Sequence, residues 1–180
     1  MILTDFLTTE SAIKLSEQTN DLVIYNHWAN DRLIDWLVSK PSNLLEIEVA
    51  SSFAGIKNTL LHIWDLERSW FGHLRQQPVK SFRFEGFDGT LEDIIFNIVN
   101  QSKLLMEYVS SFSDEELAEE CFFSIPYVGD HYVPRYQIIQ HIIYHSTYHR
   151  GQLTTIGHHV GLHDAPMTDY MFYLLRVKNK

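Results

Sequence analysis

The sequence lacks a pair of cysteines and a membrane-spanning segment, and it has fewer basic than acidic residues. Cys121 is the only cysteine, so no intramolecular disulfide can form. No apolar run approaches the ~20 residues needed to cross a bilayer, and the first residues lack the basic start and apolar core of a signal peptide. Lys and Arg number 14 against 23 Asp and Glu, and this formal charge of -9 disfavours binding to nucleic acid or to an anionic membrane. We therefore expect a soluble, cytoplasmic protein that binds neither.

What the sequence does contain is ample material for a packed helical core. Hydrophobic residues make up 45% of the 180 positions, enough for one domain over residues 1–180. Apolar residues recur at helical spacing in four long segments, which predict an all-α fold built on a four-helix bundle. The predicted helices run from about Ser11 to Val38, from after Ser51-Ser52 to Gln77, from about Thr90 to Val109, and from Arg135 to His159.

Shorter elements are expected between and after these helices. A loop is predicted over residues 80–89, and a capping-box pattern at 113–116 predicts a short helix. Aromatic and β-branched residues around Gly129-Asp130 predict a small irregular β-hairpin before the fourth long helix. A last short helix is predicted from about Thr168 to Val177.

Three of the ten histidines, His141, His145 and His149, follow one another at four-residue intervals. Residues four apart lie on one face of a helix, so neighbouring imidazoles can share a metal ion. The outer two histidines are ~12 Å apart along the axis, too far to serve one ion. His145 and His149 lie inside the apolar arc of the helix and His141 lies at its margin, so we expect the later pair to bind.

A third ligand is expected from another helix, and His62 is the best candidate because it borders the apolar arc of the second helix. Two other metal templates do not fit. Zinc proteases of one large class need Glu directly after the first His, where Ser146 stands. Di-iron bundles need Glu-x-x-His on two helices, which the sequence lacks. A three-histidine site with open positions remains, and this pattern is catalytic rather than structural.

Five further polar residues are candidates for the surroundings of this site. Glu67 and Arg150 are positioned to form an inward ion pair, and Asn26 and Gln152 to complete a polar pocket. For these four, packing or hydrogen bonding is the preferred interpretation. Asp65, one turn beyond His62, is expected to be an exposed helix-surface charge; the alternative is that it orients a ligand or acts as a base.

The segment His145-Ser-Thr-Tyr-His149-Arg-Gly-Gln152 resembles the signature of the DinB-like proteins, the DinB/YfiT superfamily. The resemblance extends through most of the chain. The other matching segments are Tyr25-Asn26-x-Trp28-Ala29-Asn30-x-Arg32, Leu61-His62-Ile63 with Glu67 and Trp70, and Thr168-Asp169-Tyr170. This resemblance implies a four-helix bundle and a homodimer. It also implies a divalent metal ion, commonly nickel or zinc, bound through His62, His145 and His149.

The resemblance also bears on activity. Some members are thiol-dependent enzymes, including bacillithiol S-transferases and mycothiol-dependent maleylpyruvate isomerase. We therefore expect a metal-dependent enzyme acting on a small molecule, with a low-molecular-weight thiol as co-substrate and S-transfer as the leading activity. Metal-assisted hydrolysis is the alternative reaction. A non-enzymatic, metal-binding dimeric helical bundle is the alternative from another class of protein.

Overall fold

The computed structural model describes residues 13–78, 86–126 and 128–179. Over these ranges the chain is mostly helical, with one two-stranded antiparallel sheet. In chain order the elements are α1 (Leu15–Val38), α2 (Ser42–Leu45), α3 (Ile56–Leu74), α4 (Leu91–Val109), α5 (Asp114–Ala118), β1 (Glu120–Ile125), β2 (Gly129–Pro134), α6 (Arg135–His159) and α7 (Tyr170–Tyr173), the last of which continues into a π-helical turn at Leu174–Lys178.

The four long helices pack in neighbouring pairs. Both α1 and α3 contact α4 and α6. Helices α3 and α6 run antiparallel, because Trp70 near the end of α3 contacts His141 early in α6. His62, earlier in α3, contacts His145 and His149 further along α6. This pairing brings together histidines that are more than eighty residues apart in sequence.

Two apolar clusters fill the interior, one towards each end of the long helices. On α1, Ala29 belongs to the first cluster and Leu33 to the second. On α3 the order is reversed, with Ile63 in the second cluster and Phe71 in the first. A layer of buried polar residues lies around the boundary. Its members are Asn26 and Asn30 on α1, Glu67 on α3, Gln101 and Ser102 on α4, and Ser146, His149 and Arg150 on α6.

The helix ends follow local sequence signals in some places and not in others. Capping boxes begin α4, at Thr90 and Asp93, and α5, at Ser113 and Glu116. The expected serine cap of α3 is wrong: the helix begins at Ile56, and its N-cap is Gly55, which has no side chain that could accept a hydrogen bond.

Gly55 replaces the serine cap because of the turn that precedes α3. Ser51 Oγ accepts a hydrogen bond from the Gly55 amide (3.2 Å) within that turn. Gly55 adopts a φ of 131°, and a Cβ there would lie 2.7 Å from the Ile47 carbonyl oxygen, so glycine is required. The helix therefore starts five residues after Ser51.

The remaining boundaries agree with the expectations to within a few residues. The hairpin of β1 and β2 precedes α6, with Cys121 paired to Val133 and Phe123 to His131. The predicted start of the first helix at Ser11 and most of the predicted 80–89 loop lie outside the described residues. Among the described helices, none combines the length and apolarity needed to cross a bilayer.

Candidate metal centre

Three histidine side chains converge between α3 and α6. His145 Nε2 lies 3.4 Å from His62 Nε2 and 3.2 Å from His149 Nε2. The four-residue spacing on α6 places His145 and His149 on one face, and the antiparallel packing of α3 brings His62 opposite them. One ring nitrogen from each of the three histidines lies within 4.8 Å of the others.

These distances fit a shared metal ion. Zinc binds imidazole nitrogen at about 2.0–2.1 Å, which places two ligand nitrogens about 3.4 Å apart at a tetrahedral angle and about 2.9 Å apart at a right angle. Both of the observed Nε2 separations lie in that interval. The donor set of three imidazoles suits zinc, nickel and other borderline transition metals.

Gln152 determines which nitrogen of His149 is free to bind. Gln152 Oε1 lies 2.7 Å from His149 Nδ1, and an amide oxygen can only accept a hydrogen bond. The proton of a neutral His149 is therefore on Nδ1, and its Nε2 presents a lone pair to the other two histidines. A metal-binding histidine is commonly oriented through its second nitrogen in this way.

Burial keeps His145 neutral. Desolvation is the main cause that lowers the pKa of His145 to about 3, and the neighbouring His149, His62 and His141 lower it further. Burial also lowers the pKa of His149, although the hydrogen bond to Gln152 acts in the opposite direction. His145 Nδ1 is buried without a hydrogen-bond partner in the part of the chain that the structure describes. Neutral imidazole is the form that binds metal ions.

Aromatic rings cover the two flanks of the centre. Phe53, in the turn before α3, stacks on His62 at 4.0 Å between centroids and 18° between planes. Its ring also meets His149 edge-on at 5.4 Å. The Tyr148 ring, on α6, meets the His149 ring in a T-shaped arrangement with 4.9 Å between centroids. No helical periodicity marks Phe53, so the sequence carried no signal for its position.

A buried network begins next to His149, at Arg150, and reaches α1 and α3. Asn26 Nδ2 donates to Glu67 Oε2 (3.1 Å), and Arg150 Nη1 donates to Asn26 Oδ1 (2.8 Å). Arg150 Nη1 also donates to Asn30 Oδ1 (2.8 Å). The Asn26 amide therefore bridges Glu67 and Arg150, and the direct ion pair that was one possibility for them is not formed.

Glu67 contributes a buried carboxyl group to this network. Burial raises its pKa to about 7, while the hydrogen bond from Asn26 and the charge of Arg150 act against the rise. Its second carboxyl oxygen, Oε1, is buried without a partner among the described residues. A carboxyl group in this setting holds a proton up to near neutral pH.

Comparison with known proteins identifies the family. The DinB family model matches residues 15–177. The chain belongs to the DinB family. A curated relative, Protein DinB of Bacillus subtilis (strain 168), is 24% identical over 177 residues, an alignment that covers 92% of this chain and 99% of the relative. The family match spans all four long helices, and with them the three converging histidines.

Asp65 occupies a different environment from the one expected. The residue is buried, with 6% of its surface exposed, and its Oδ1 accepts a hydrogen bond from Arg68 Nη2 (3.0 Å). The expectation of an exposed charge is wrong, because an Arg three residues later lies over the carboxylate and pairs with it.

The other histidines lie outside the cluster. His141 is exposed at the margin of α6, as its position at the edge of the apolar arc predicts. Its ring contacts Trp70 and His145. His27 is hydrogen-bonded to Ser102 across the α1–α4 contact. His158 and His163 form a separate exposed pair, with ring centroids 5.3 Å apart.

Proposed function

We propose that this DinB-family chain binds a divalent metal ion through His62, His145 and His149 and is a metal-dependent enzyme. The observation that supports this best is the meeting of three Nε2 atoms, one of which has its lone pair directed inward by the Gln152 hydrogen bond.

The composition of the cluster favours catalysis over a structural role. Among the described residues, no cysteine or carboxylate joins the three histidines. Three protein ligands leave open coordination positions, which structural zinc sites do not have. A zinc or nickel ion at this site would lower the pKa of a bound water or thiol and so supply a nucleophile near neutral pH. Gln152 holds the proton on His149 Nδ1, and Phe53 keeps water from one face of His62.

S-transfer from a low-molecular-weight thiol is the reaction that we propose first. It is supported by the thiol-dependent members of the DinB-like proteins that the sequence resembles. In such a reaction the thiol sulfur bonds to an electrophilic carbon, the leaving group departs with the bonding electrons, and the thiol proton passes to solvent. Metal-assisted hydrolysis is the second proposal, since the same site can activate water.

The proposal also covers the arrangement of the long helices and the oligomeric state. We propose that α1, α3, α4 and α6 form a four-helix bundle, which their packing in neighbouring pairs supports. We also propose a homodimer, which the family resemblance supports. A non-enzymatic dimer that holds an ion for stability is the competing function.

The proposed activity is tested by incubating metal-loaded protein with bacillithiol, glutathione or coenzyme A and monochlorobimane. Formation of the fluorescent thioether, with release of chloride, is expected with at least one thiol and is expected to be lost in His149→Ala. Hydrolysis of simple esters or amides without any thiol transfer would move the assignment to the hydrolases. Absence of both reactions from fully metal-loaded protein would support the non-enzymatic dimer.

A further inference from the structure

A surface cavity of about 370 Å³ lies beside the candidate metal centre. Its walls are the segment 49–52, before α3, and the face of α6 from Tyr148 to His159. Two of its lining residues contact His149 directly: Gln152 accepts the Nδ1 hydrogen bond, and the Tyr148 ring lies 4.9 Å away. The cavity volume is within the range of small-molecule sites, about 300–1,000 Å³.

Gly151 keeps this cavity open. The residue lies in the interior of the 25-residue helix α6, where glycine is less favourable than alanine. A Cβ added at Gly151 would meet no heavy atom within 4 Å in the described structure, so the fold itself does not require glycine there. By contrast, a Cβ at Gly157 on the same helix would lie 2.8 Å from the Trp36 ring. A side chain at position 151 would project into open space, and Gly151 therefore leaves this side of the cavity wider than any other residue would.

Most polar groups that line the cavity are hydroxyl and amide groups, and His159 is the one imidazole among the described lining residues. Gln152 Nε2 forms no hydrogen bond within the described residues and is not among the buried unsatisfied atoms, so it is open to the cavity. Hydroxyl groups come from Ser52 and Tyr148. None of the lining residues is Asp, Glu, Lys or Arg. Among the described lining residues an ammonium group would find no carboxylate and an anion would find only His159, whereas hydroxyl, carbonyl and amide groups find several matching partners.

We propose that the cavity over Gly151 binds an uncharged part of the substrate that bears hydroxyl or amide groups, with Gln152 Nε2 as a hydrogen-bond donor to it. The assignment of the occupant as substrate rests on the proposed function. The bound group contacts Gln152 on the amide nitrogen, while the amide oxygen of the same side chain holds His149. Occupancy of the cavity therefore restrains the side chain that orients a metal ligand.

The binding test uses two matched pairs of small probes with the full chain. Methyl α-D-glucopyranoside and N-acetylglycinamide are uncharged, and their anionic counterparts are glucose 6-phosphate and N-acetylglycine. Binding is followed by the amide ¹H and ¹⁵N chemical shifts of Gly151 and Gln152. The uncharged probes are expected to shift these signals saturably and the anionic probes much less. Gly151→Val, which places a branched side chain in the cavity, is expected to weaken binding at least about tenfold. Tyr144→Ala, on an exposed position of α6 outside the cavity, is the control and is expected to bind as the wild type does.

Three results would overturn the cavity assignment: no saturable shift with either uncharged probe, equal binding by the anionic probes, or unchanged binding to Gly151→Val. A wild-type dimer that Gly151→Val converts to a monomer would also overturn it, because a second copy of the chain would then be the occupant. Metal content is measured on the same samples. A wild type that lacks metal but still binds the uncharged probes contradicts the proposed function and leaves the cavity assignment intact.

Discussion

Gln152 Oε1 accepts a 2.7 Å hydrogen bond from His149 Nδ1, three residues earlier on the same helix. This contact defines the tautomer of His149 and points its Nε2 at His145 and His62. The convergence of the three histidines therefore depends on a side chain that does not itself approach the ion.

Replacing Gln152 tests this dependence. Gln152→Leu removes the acceptor but keeps the volume, and we expect metal affinity to fall about 10–100-fold, as is typical when such an orienting partner is lost. Gln152→Glu keeps an acceptor and is expected to retain near wild-type affinity. The affinity is measured by competition with a chelator. Equal affinity of the Leu and Glu variants would show that the hydrogen bond does not orient His149.

Glu67 makes the stability of the apo protein depend on pH. Its folded-state pKa, about 7, lies above its ordinary value of 4.5, so its stabilising contribution is fully present below pH 4.5 and is lost as the pH rises through 7. Glu67→Gln is expected to remove this loss, which is at most a few kcal/mol because one pKa unit corresponds to about 1.4 kcal/mol.

The measurement is the free energy of unfolding of both apo proteins, by urea titration, between pH 4.5 and 8. Histidines with lowered pKa values contribute the opposite slope, since stability from them is lost as the pH falls below 6.5, but they are common to both proteins. The difference between the two curves therefore isolates Glu67. A difference that does not change with pH would contradict the raised pKa.

Alanine substitutions at two glycines of α6 near the site are expected to change the stability of the fold in opposite directions. Gly151→Ala meets no neighbour and is expected to stabilise the fold by about 0.5–1 kcal/mol. Gly157→Ala places a Cβ 2.8 Å from Trp36, whose Nε1 donates to Asp164 Oδ1 (2.9 Å) and which is buried, so a net loss of about 1–2 kcal/mol is expected. Thermal unfolding of the two variants measures this contrast. A similar shift in the same direction for both would contradict it.

Phe53 is expected to slow metal release. Because its ring stacks on His62 at 4.0 Å, Phe53→Ala should expose that ligand and accelerate dissociation about 2–10-fold, the equivalent of the 0.5–1.5 kcal/mol typical of ring contacts. Dissociation is followed by transfer of the metal to an excess of chelator. Phe96→Ala, an exposed position on α4, is the matched control. Identical rates of metal dissociation from the two variants would show that Phe53 does not retain the ion.

Helical periodicity was enough to predict the long elements of this fold. The fourth long helix was expected over 135–159 and is observed as Arg135–His159. Helical periodicity places His145 and His149 inside the apolar arc of α6 and His62 at the border of the apolar arc of α3, and the structure brings the three together. Their role as ligands remains a prediction.

Helical periodicity does not predict which side chains on different helices contact one another. The wheel angles of Glu67 and Arg150 indicated that both face inward, but not that Asn26 stands between them. Helical periodicity predicts the direction of Asp65 but not its hydrogen bond with Arg68. Phe53 lies in an irregular turn shaped by Gly55, and contacts of such segments depend on tertiary packing.

Binding of a metal ion by His62, His145 and His149 is tested by the metal content and coordination of untagged protein. These are measured by elemental analysis and X-ray absorption spectroscopy. The exposed pair His158 and His163 can bind stray ions, so the measurement is made in a His163→Ala background. We predict one zinc or nickel ion per chain with three imidazole ligands, lost in His149→Ala. Substoichiometric metal that is unaffected by His149→Ala would contradict the account.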